Sequence, residues 1–275
     1  MQKVILDIGA NSGYFSEYIL INDKSSKVIA FEPNPEFQPN LESISKSFYG
    51  RFDFKIKAVA DINGTGQFNF TVDPSSQLSS MLKPNPLGLW DNYSRKFSLK
   101  FSTKKVSICN GKFIEQNYGK EIYLCKIDVQ GSDIFVARNL LQSLNIKFLV
   151  IEFQTSSLQN ESMYIDQKNS LVNLANLITE FNLSTIKLFP NSSNLFEYNV
   201  LLSSKKSLNR SDYKFIDLLI ESPILKRSSE ILLIGDSPYP RLVKKLNWIV
   251  HKVLSALTHK KLLKIQFYVL KFLNK

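Results

Sequence analysis

Short apolar runs alternate with amphipathic stretches along most of the chain, and the two kinds of segment have different periods. Apolar runs of strand length predict buried strands, and apolar positions three or four residues apart predict helices. Strands that alternate with helices indicate a parallel sheet. We therefore expect an α/β fold, a doubly wound, mostly parallel Rossmann-like sheet with helices on both faces. The predicted strands are 4–6, 27–31, 52–59, 67–72, 121–128 and 148–153, and 185–189 and 198–203 follow as final antiparallel strands. A turn at 61–64 is expected to pair the strands on its two sides.

The regular alternation stops between residues 73 and 105, where prolines and serines predict an ordered loop. Trp90, Tyr93, Phe97 and Phe101 make this segment too aromatic for a plain linker. We expect this segment to form a lid or part of a substrate pocket. The alternative is that the aromatic rings only pack the loop against the domain.

The basic residues are unevenly distributed, and this divides the chain into three parts. The net charge is +11, but nine of the 35 Lys and Arg residues and none of the 24 acidic residues follow Pro240. The preceding part has 26 basic and 24 acidic residues, a net charge of +2. We expect an α/β domain at 1–204, an extension of uncertain structure at 205–240 with a helical segment at 213–220, and a basic amphipathic helical tail at 241–275.

The tail combines its cations with a stripe of Leu, Ile and Val at helical spacing. This pattern predicts a helix that lies on an anionic membrane surface. Packing of the tail on its own domain and an oligomer contact remain alternatives. No signal-peptide pattern and no apolar run of the ~20 residues needed to span a bilayer is found. We therefore expect a cytoplasmic protein, which the tail would bring to the inner face of the membrane.

A strand–turn–helix at residues 7–13 carries the strongest chemical signal. Gly9 and Gly13 follow the first strand at G-x-x-x-G spacing, which differs from the G-x-G-x-x-G fingerprint of dinucleotide sites. The first glycine allows a sharp turn, and the second allows a ligand to approach the helix start. The alternative is that both glycines only shape a tight turn.

Acidic residues after successive strands favour a nucleoside cofactor over a plain turn. Asp7 can help to hold the sulfonium and ammonium groups of S-adenosylmethionine. Glu32 ends the second strand and is placed to accept hydrogen bonds from the ribose hydroxyls, while Asp61 lies where the adenine edge is expected. The sequence therefore predicts an S-adenosylmethionine site.

At this point the residues resemble a family. The segments that carry the resemblance are DIGANSGYF at 7–15, AFEPNP at 30–35, AVAD at 58–61 with Gly64, SSMLKP at 79–84 and KIDVQG at 126–131. In order and spacing they are similar to the motifs of FkbM-family methyltransferases over roughly residues 1–204. The resemblance implies a class I methyltransferase with cofactor contacts at Asp7, Gly9, Asn11, Glu32 and Asp61.

The resemblance also implies an oxygen acceptor, since many family members O-methylate sugars of surface glycans or hydroxyls of secondary metabolites. Gln130 is a departure, because the family usually has Glu there. This departure puts a catalytic or metal-binding role of position 130 in doubt, while Asp128 remains.

Asp128 and Glu152 are the candidate catalytic residues. Asp128 ends a central strand, at the edge where open α/β sheets bind ligands. It can take the proton of an acceptor hydroxyl, or hold a divalent ion that acidifies the hydroxyl. Its alternative role is to cap the next helix or orient the loop. Glu152, on the following strand, can also simply face solvent, and metal dependence stays open.

The candidate acceptor-binding residues all belong to the irregular segment. Aromatic rings beside hydroxyl and amine groups suit a sugar. The residues are Ser79, Ser80, Lys83, Trp90 and Tyr93.

The sequence thus predicts an S-adenosylmethionine-dependent methyltransferase that acts on a hydroxyl of a sugar, a glycan (lipid-linked glycans included) or a small metabolite. A nucleic-acid methyltransferase is disfavoured, because the chain has no Pro-Pro pair and its nearly neutral body lacks a distributed basic groove. The glycine spacing disfavours a dinucleotide oxidoreductase. A non-catalytic binding protein with a membrane-associating tail is the remaining alternative.

Overall fold

A computed structural model of the chain describes residues 2–71, 78–86, 100–154, 162–190, 197–205, 207–222 and 225. The strands are β1 (Lys3–Ile8), β2 (Ser26–Phe31), β3 (Phe52–Lys55), β4 (Ala58–Val59), β5 (Gly64–Thr71), β6 (Phe101–Cys109), β7 (Glu121–Ile127), β8 (Asn145–Gln154), β9 (Ser184–Pro190) and β10 (Glu197–Ser203). The helices are α1 (Tyr14–Asn22), α2 (Gln38–Ser47), α3 (Gly111–Tyr118), α4 (Asp133–Ser143), α5 (Leu171–Glu180) and α6 (Arg210–Ile220), and a short 3-10 helix covers Pro35–Phe37. The predicted tail at 241–275 and its predicted membrane contact lie outside the described residues.

Seven strands form the main sheet, in the order β3-β2-β1-β7-β8-β10-β9. The first five in this order are parallel to one another, whereas β10 is antiparallel to both β8 and β9. The strand order reverses direction between β1 and β7, and such switch points are where open α/β sheets bind ligands. The predicted fold, a mostly parallel Rossmann-like sheet with antiparallel final strands, is confirmed.

Helices cover both faces of this sheet, because successive side chains of each strand point to opposite sides. Along β1, Ile5 faces the core formed with α1, α2 and α6, while Leu6 and Ile8 face the core formed with α3, α4 and α5. With its faces covered, the carboxyl edge of the parallel strands is left for ligands. None of the described helices is both long and apolar enough to cross a membrane.

Helix α6 belongs to the same folded unit as the sheet, although it follows residue 204, the predicted end of the α/β domain. Its Phe215 is buried in the core beside α1 and α2. Its Asp212 is also buried; it accepts a hydrogen bond from the Tyr123 hydroxyl at 2.8 Å and pairs with Lys147. The hydrophobic core therefore includes residues beyond 204.

A second sheet of three strands, in the order β4-β6-β5, stands beside the main sheet and corrects three expectations. The predicted single strand at 52–59 is wrong, because the chain leaves the main sheet after Lys55 and β4 pairs with β6. The predicted turn at 61–64 does not pair the strands on its two sides, since β5 is antiparallel to β6. The predicted loop at 73–105 ends earlier than expected, at the start of β6.

Candidate active site

A cavity of about 790 Å³ opens at the carboxyl ends of β1, β2, β7 and β8. Residues 8–12 and Glu32 line one part of it, and Asp128, Gln130 and Glu152 line another. Phe68 of β5 and Met81 of the 78–86 segment contribute a further wall. The second sheet therefore helps to enclose the site, and one cavity joins the two groups of residues that the sequence analysis selected.

The turn after β1 depends on the absence of a side chain at Gly9. Gly9 has a φ of +75°, and a β-carbon added there would lie 1.9 Å from the carbonyl oxygen of Asp128. The amides of Gly9 and Ala10 both donate to the carbonyl of Phe31, at 2.9 and 3.1 Å. The turn is thus pressed between the end of β2 and the loop after β7, and only glycine fits.

Gly13 has a different role from the expected one. It does not line the cavity, and a β-carbon added there would lie 2.5 Å from Cδ1 of Ile44 and 2.9 Å from Cδ2 of Leu41. Its φ of +83° starts α1 in the left-handed region. Gly13 therefore lets α1 pack closely against α2, and in the structure it leaves the ligand side of the turn to Gly9, Ala10 and Asn11.

Glu32 is held by two backbone amides at the end of β2. Its Oε2 accepts from the amide of Asn11 at 2.7 Å, and its Oε1 accepts from the amide of Asn34 at 2.8 Å. The residue is only 6% exposed and lines the cavity. Burial raises the pKa of Glu32 to about 7, against the opposing effect of the two amide hydrogen bonds. A carboxylate has further lone pairs, so Glu32 can still accept hydrogen bonds from a ligand.

Asp7 lies beneath the cavity, which corrects the expectation of a direct contact with the cofactor. It is fully buried, does not line the cavity, and accepts a 2.7 Å hydrogen bond from the hydroxyl of Ser16. Its other oxygen lies 3.2 Å from the ammonium of Lys126. The Lys126 ammonium also donates to the carbonyl of Gly9 at 3.0 Å, so Asp7 supports the turn through its partners.

Asp128 follows β7 directly, and its amide donates to the carbonyl of Ile8 at 2.9 Å. Its carboxylate accepts a 2.9 Å hydrogen bond from the side-chain amide of Gln130, and its second oxygen lies 3.6 Å from Lys126. The side chain is 39% exposed and lines the cavity. Asp128 is thus an oriented carboxylate with an accessible surface.

Asp128, Glu152 and Asn199 stand side by side at this edge of the sheet. Ile127 pairs with Ile151 in the parallel register, which sets Asp128 level with Glu152, and Asn199 pairs with Glu152 across β10. All three line the cavity. Three neighbouring strands therefore present a row of two carboxylates and one amide, spaced by ~4.8 Å per strand.

Three more of the predicted site residues differ in whether they line the cavity. Asp61 is exposed and lines the cavity. Ser79 also lines it, and its hydroxyl accepts from the amide of Thr71 at 3.0 Å. Ser80 is fully buried outside the cavity wall, because its hydroxyl donates to the carbonyl of Gln130 at 2.7 Å.

Three further residues were expected to bind the acceptor. Lys83 is exposed but does not line the cavity. Trp90 and Tyr93 lie outside the described residues. Of the five predicted acceptor-binding residues, Ser79 is thus the one that the structure places in the cavity wall within the described part of the chain.

Several residues of the site were missed by the sequence analysis. The cavity is also lined by Lys126, Lys168 and Asn199. Asp133, the first residue of α4, is fully buried. Burial, reinforced by the Asp128 carboxylate, raises the pKa of Asp133 to about 7. Asn169 donates to Asp133 at 2.6 Å and so ties the 162–170 segment to the start of α4. Lys126 is a charged residue one position before the end of strand β7, and this unusual position could have indicated a role in the site.

The described residues contain no group of three or more His, Cys, Asp or Glu side chains arranged to hold a metal ion.

The model of the methyltransferase FkbM domain matches residues 7–182 of the chain. The chain belongs to the FkbM methyltransferase family. Its cofactor is accordingly S-adenosylmethionine, as the sequence predicted. The match includes the Gly9 turn, Glu32, Asp128 and Glu152. No curated protein sequence matches the chain.

The solved structures that resemble the chain have low sequence identity to it and low TM-scores. M. capricolum TrmK in complex with the cofactor product S-adenosylhomocysteine is 13% identical, with a TM-score of 0.43 over 98% of this chain and 91% of that one. An S-adenosylmethionine-dependent methyltransferase from Aquifex aeolicus is 10% identical, with a TM-score of 0.37 over 74% and 84%. The StiE O-MT is 9% identical, with a TM-score of 0.39 over 92% and 63%. At these values none of them bears on the acceptor of this chain.

Gly9→Ala tests the close approach of the turn to Asp128. The added methyl group would overlap the Asp128 carbonyl oxygen. Forcing a group into a packed site costs about 1–3 kcal/mol. We expect binding of S-adenosylhomocysteine, measured by calorimetry, to weaken at least about tenfold, which corresponds to about 1.4 kcal/mol.

Gly50→Ala is the matched control, because Gly50 also has a φ of +75° but no atom within 4 Å of an added β-carbon. It should cost only backbone strain, about 1–2 kcal/mol of unfolding free energy, and leave affinity unchanged. Equal affinity losses in the two variants would contradict the steric explanation.

Proposed function

We propose that the protein transfers the methyl group of S-adenosylmethionine to a hydroxyl oxygen of a sugar, a glycan or a small metabolite. The observation that carries this proposal is the single cavity that joins the Gly9 turn and Glu32 to the carboxylates of Asp128 and Glu152. The family resemblance supports an oxygen acceptor of this kind. The domain over residues 1–204, extended by α6, would be the catalytic unit.

In the proposed binding mode, Glu32 accepts hydrogen bonds from the ribose hydroxyls of the cofactor. Its carboxylate is already fixed by the amides of Asn11 and Asn34. Asp61, further along the cavity wall, would face the adenine, and Gly9 and Asn11 would lie along the amino-acid part of the cofactor. Asp7 would act indirectly, by holding Lys126 and with it the turn.

Methyl transfer requires an in-line approach of the acceptor oxygen to the methyl carbon. The new O–C bond forms as the C–S bond breaks, so that the cationic sulfonium becomes the neutral thioether of S-adenosylhomocysteine. The hydroxyl proton must leave the acceptor, and we assign its uptake to Asp128. The Gln130 amide fixes the orientation of this carboxylate, while Lys126 lies near its second oxygen. Glu152 is the second candidate.

The proposed role of Glu32 predicts a pH dependence of cofactor binding. The pKa of Glu32 is raised to about 7, so the free protein holds the proton below that pH and must release it to accept the ribose hydroxyls. The affinity for S-adenosylhomocysteine should therefore fall as the pH drops from 8 to 5.5, by up to about tenfold per pH unit. Calorimetry across this range measures it.

Glu32→Gln should bind about 10- to 100-fold more weakly at pH 8, because hydrogen bonds to charged groups contribute about 1.5–3 kcal/mol. Its affinity should not change with pH. The pKa of Asp133 is also raised to about 7, but Asp133 does not line the cavity. Glu36→Gln, at an exposed position nearby, is the control and should behave like wild type. A Glu32→Gln variant that keeps the wild-type pH dependence would contradict the proposed binding mode.

The function itself is tested by methyl transfer from labelled S-adenosylmethionine to nucleotide sugars, lipid-linked oligosaccharides and RNA. We expect label in one or more sugar acceptors. Asp128→Asn should lower the rate about 10²- to 10⁴-fold, the usual contribution of a general base, with little change in S-adenosylhomocysteine affinity. Asp217→Asn, exposed on α6, is the control. Label in RNA alone would overturn the acceptor class, and an active Asp128→Asn variant would overturn the role of Asp128.

A further inference from the structure

Asn199 is a nearly buried amide that faces the cavity without a partner. It is 8% exposed, lies on β10 and lines the cavity. Its side chain makes no hydrogen bond with any residue that the structure describes. The amide is reached from the cavity, where it is open to a hydrogen bond with a ligand. A ligand that fills the cavity would supply the missing partner.

The position of Asn199 next to Glu152 gives its amide a distinct chemistry. The row of Asp128, Glu152 and Asn199 ends at Phe189, which pairs with Asn199 on the edge strand β9 and is buried. Ionised carboxylates only accept hydrogen bonds, whereas an amide both donates and accepts. Asn199 is therefore the member of the row that can donate to an oxygen of the acceptor.

The spacing of the row fits a ring that carries more than one hydroxyl. Asp128 and Asn199 are two strands apart, which places their backbones roughly 10 Å from each other. This distance leaves room for a sugar ring between the two side chains, with Glu152 beside its middle. A hydroxyl both donates and accepts, so hydroxyls at different positions of one ring can bond to a carboxylate on one side and an amide on the other.

We propose that Asn199 is a specificity-determining residue, which binds the acceptor through a second ring hydroxyl, other than the one that is methylated. This assignment rests on the proposed function. It narrows the substrate class to sugars or cyclic polyols that carry a further ring hydroxyl besides the reacting one. Asp128 takes up the proton of the reacting hydroxyl, and Asn199 together with Glu152 binds the ring that carries this hydroxyl.

The test compares methyl glycosides with their deoxy analogues, each lacking one ring hydroxyl, as acceptors of labelled methyl groups. For the wild type, loss of the hydroxyl bound by Asn199 should lower kcat/KM at least about 100-fold, because a site built to hydrogen-bond a hydroxyl rejects an analogue without it. Asn199→Leu keeps the branching and the number of side-chain heavy atoms but has no polar atoms. It should raise KM for the parent glycoside about tenfold, lower kcat less, and no longer distinguish the deoxy analogue.

Two controls separate the possible outcomes. Asn199→Leu should bind S-adenosylhomocysteine as the wild type does, and Asn117→Leu, at an exposed position on α3, should keep the wild-type preference. If Asn199→Leu still rejects the deoxy analogue and its KM is unchanged, the assignment of Asn199 is overturned while the function stands. If the wild type binds S-adenosylhomocysteine but methylates no glycoside, the proposed acceptor class falls, and this assignment with it.

Discussion

The buried ammonium of Lys126 is the interaction on which the geometry of the site depends. It lies 3.2 Å from Asp7, 3.6 Å from Asp128 and 3.0 Å from the carbonyl of Gly9. Burial lowers the pKa of Lys126, but the attraction of Asp7 and Asp128 outweighs this effect and holds the pKa above its ordinary value. Lys126 is therefore a permanent cation that joins β1 to β7 where the two strands end.

This cation also determines which acids can contact ligands. Asp7 gives both of its oxygens to Ser16 and Lys126, so it stabilises the turn from below. Asp128 shares the same cation but keeps part of its surface in the cavity. The three groups together carry a net charge of −1. In the proposed binding mode, this charge favours the cationic sulfonium over the neutral product, which helps the product to leave.

The sequence predicted the sheet well, and it selected Gly9, Asn11 and Glu32, which line the cavity, because these signals are local. The glycine turn and Glu32 follow apolar strands within about thirty residues, so neither needs knowledge of distant contacts. Helix α3 could also have been predicted, since Asn110 caps its start and Gly119 follows its end. Strand β6 was hidden because Thr103, Lys104 and Lys105 are exposed and break the apolar pattern.

The part of the cavity around Glu152 and Asn199 could not be predicted, because it depends on register between distant strands. Asn199 reaches Glu152 only through the antiparallel pairing of β10 with β8. Ser80 is similar: its hydroxyl is buried because the 78–86 segment packs on the turn of Gln130, fifty positions away. The residues next to Ser80 in the sequence give no sign of this contact, so the sequence alone favoured a ligand-binding role for Ser80.

The most direct test of this account is a double-mutant cycle on Asp7 and Lys126, measured as unfolding free energies in urea. Breaking a buried ion pair by removing one partner costs about 3–5 kcal/mol. We expect Asp7→Asn and Lys126→Met each to approach this cost, and the double variant to recover much of it. The exposed pair Arg138–Glu180, 2.9 Å apart, serves as the control and should couple by at most about 1 kcal/mol. A coupling between Asp7 and Lys126 no larger than that of the control would contradict the account.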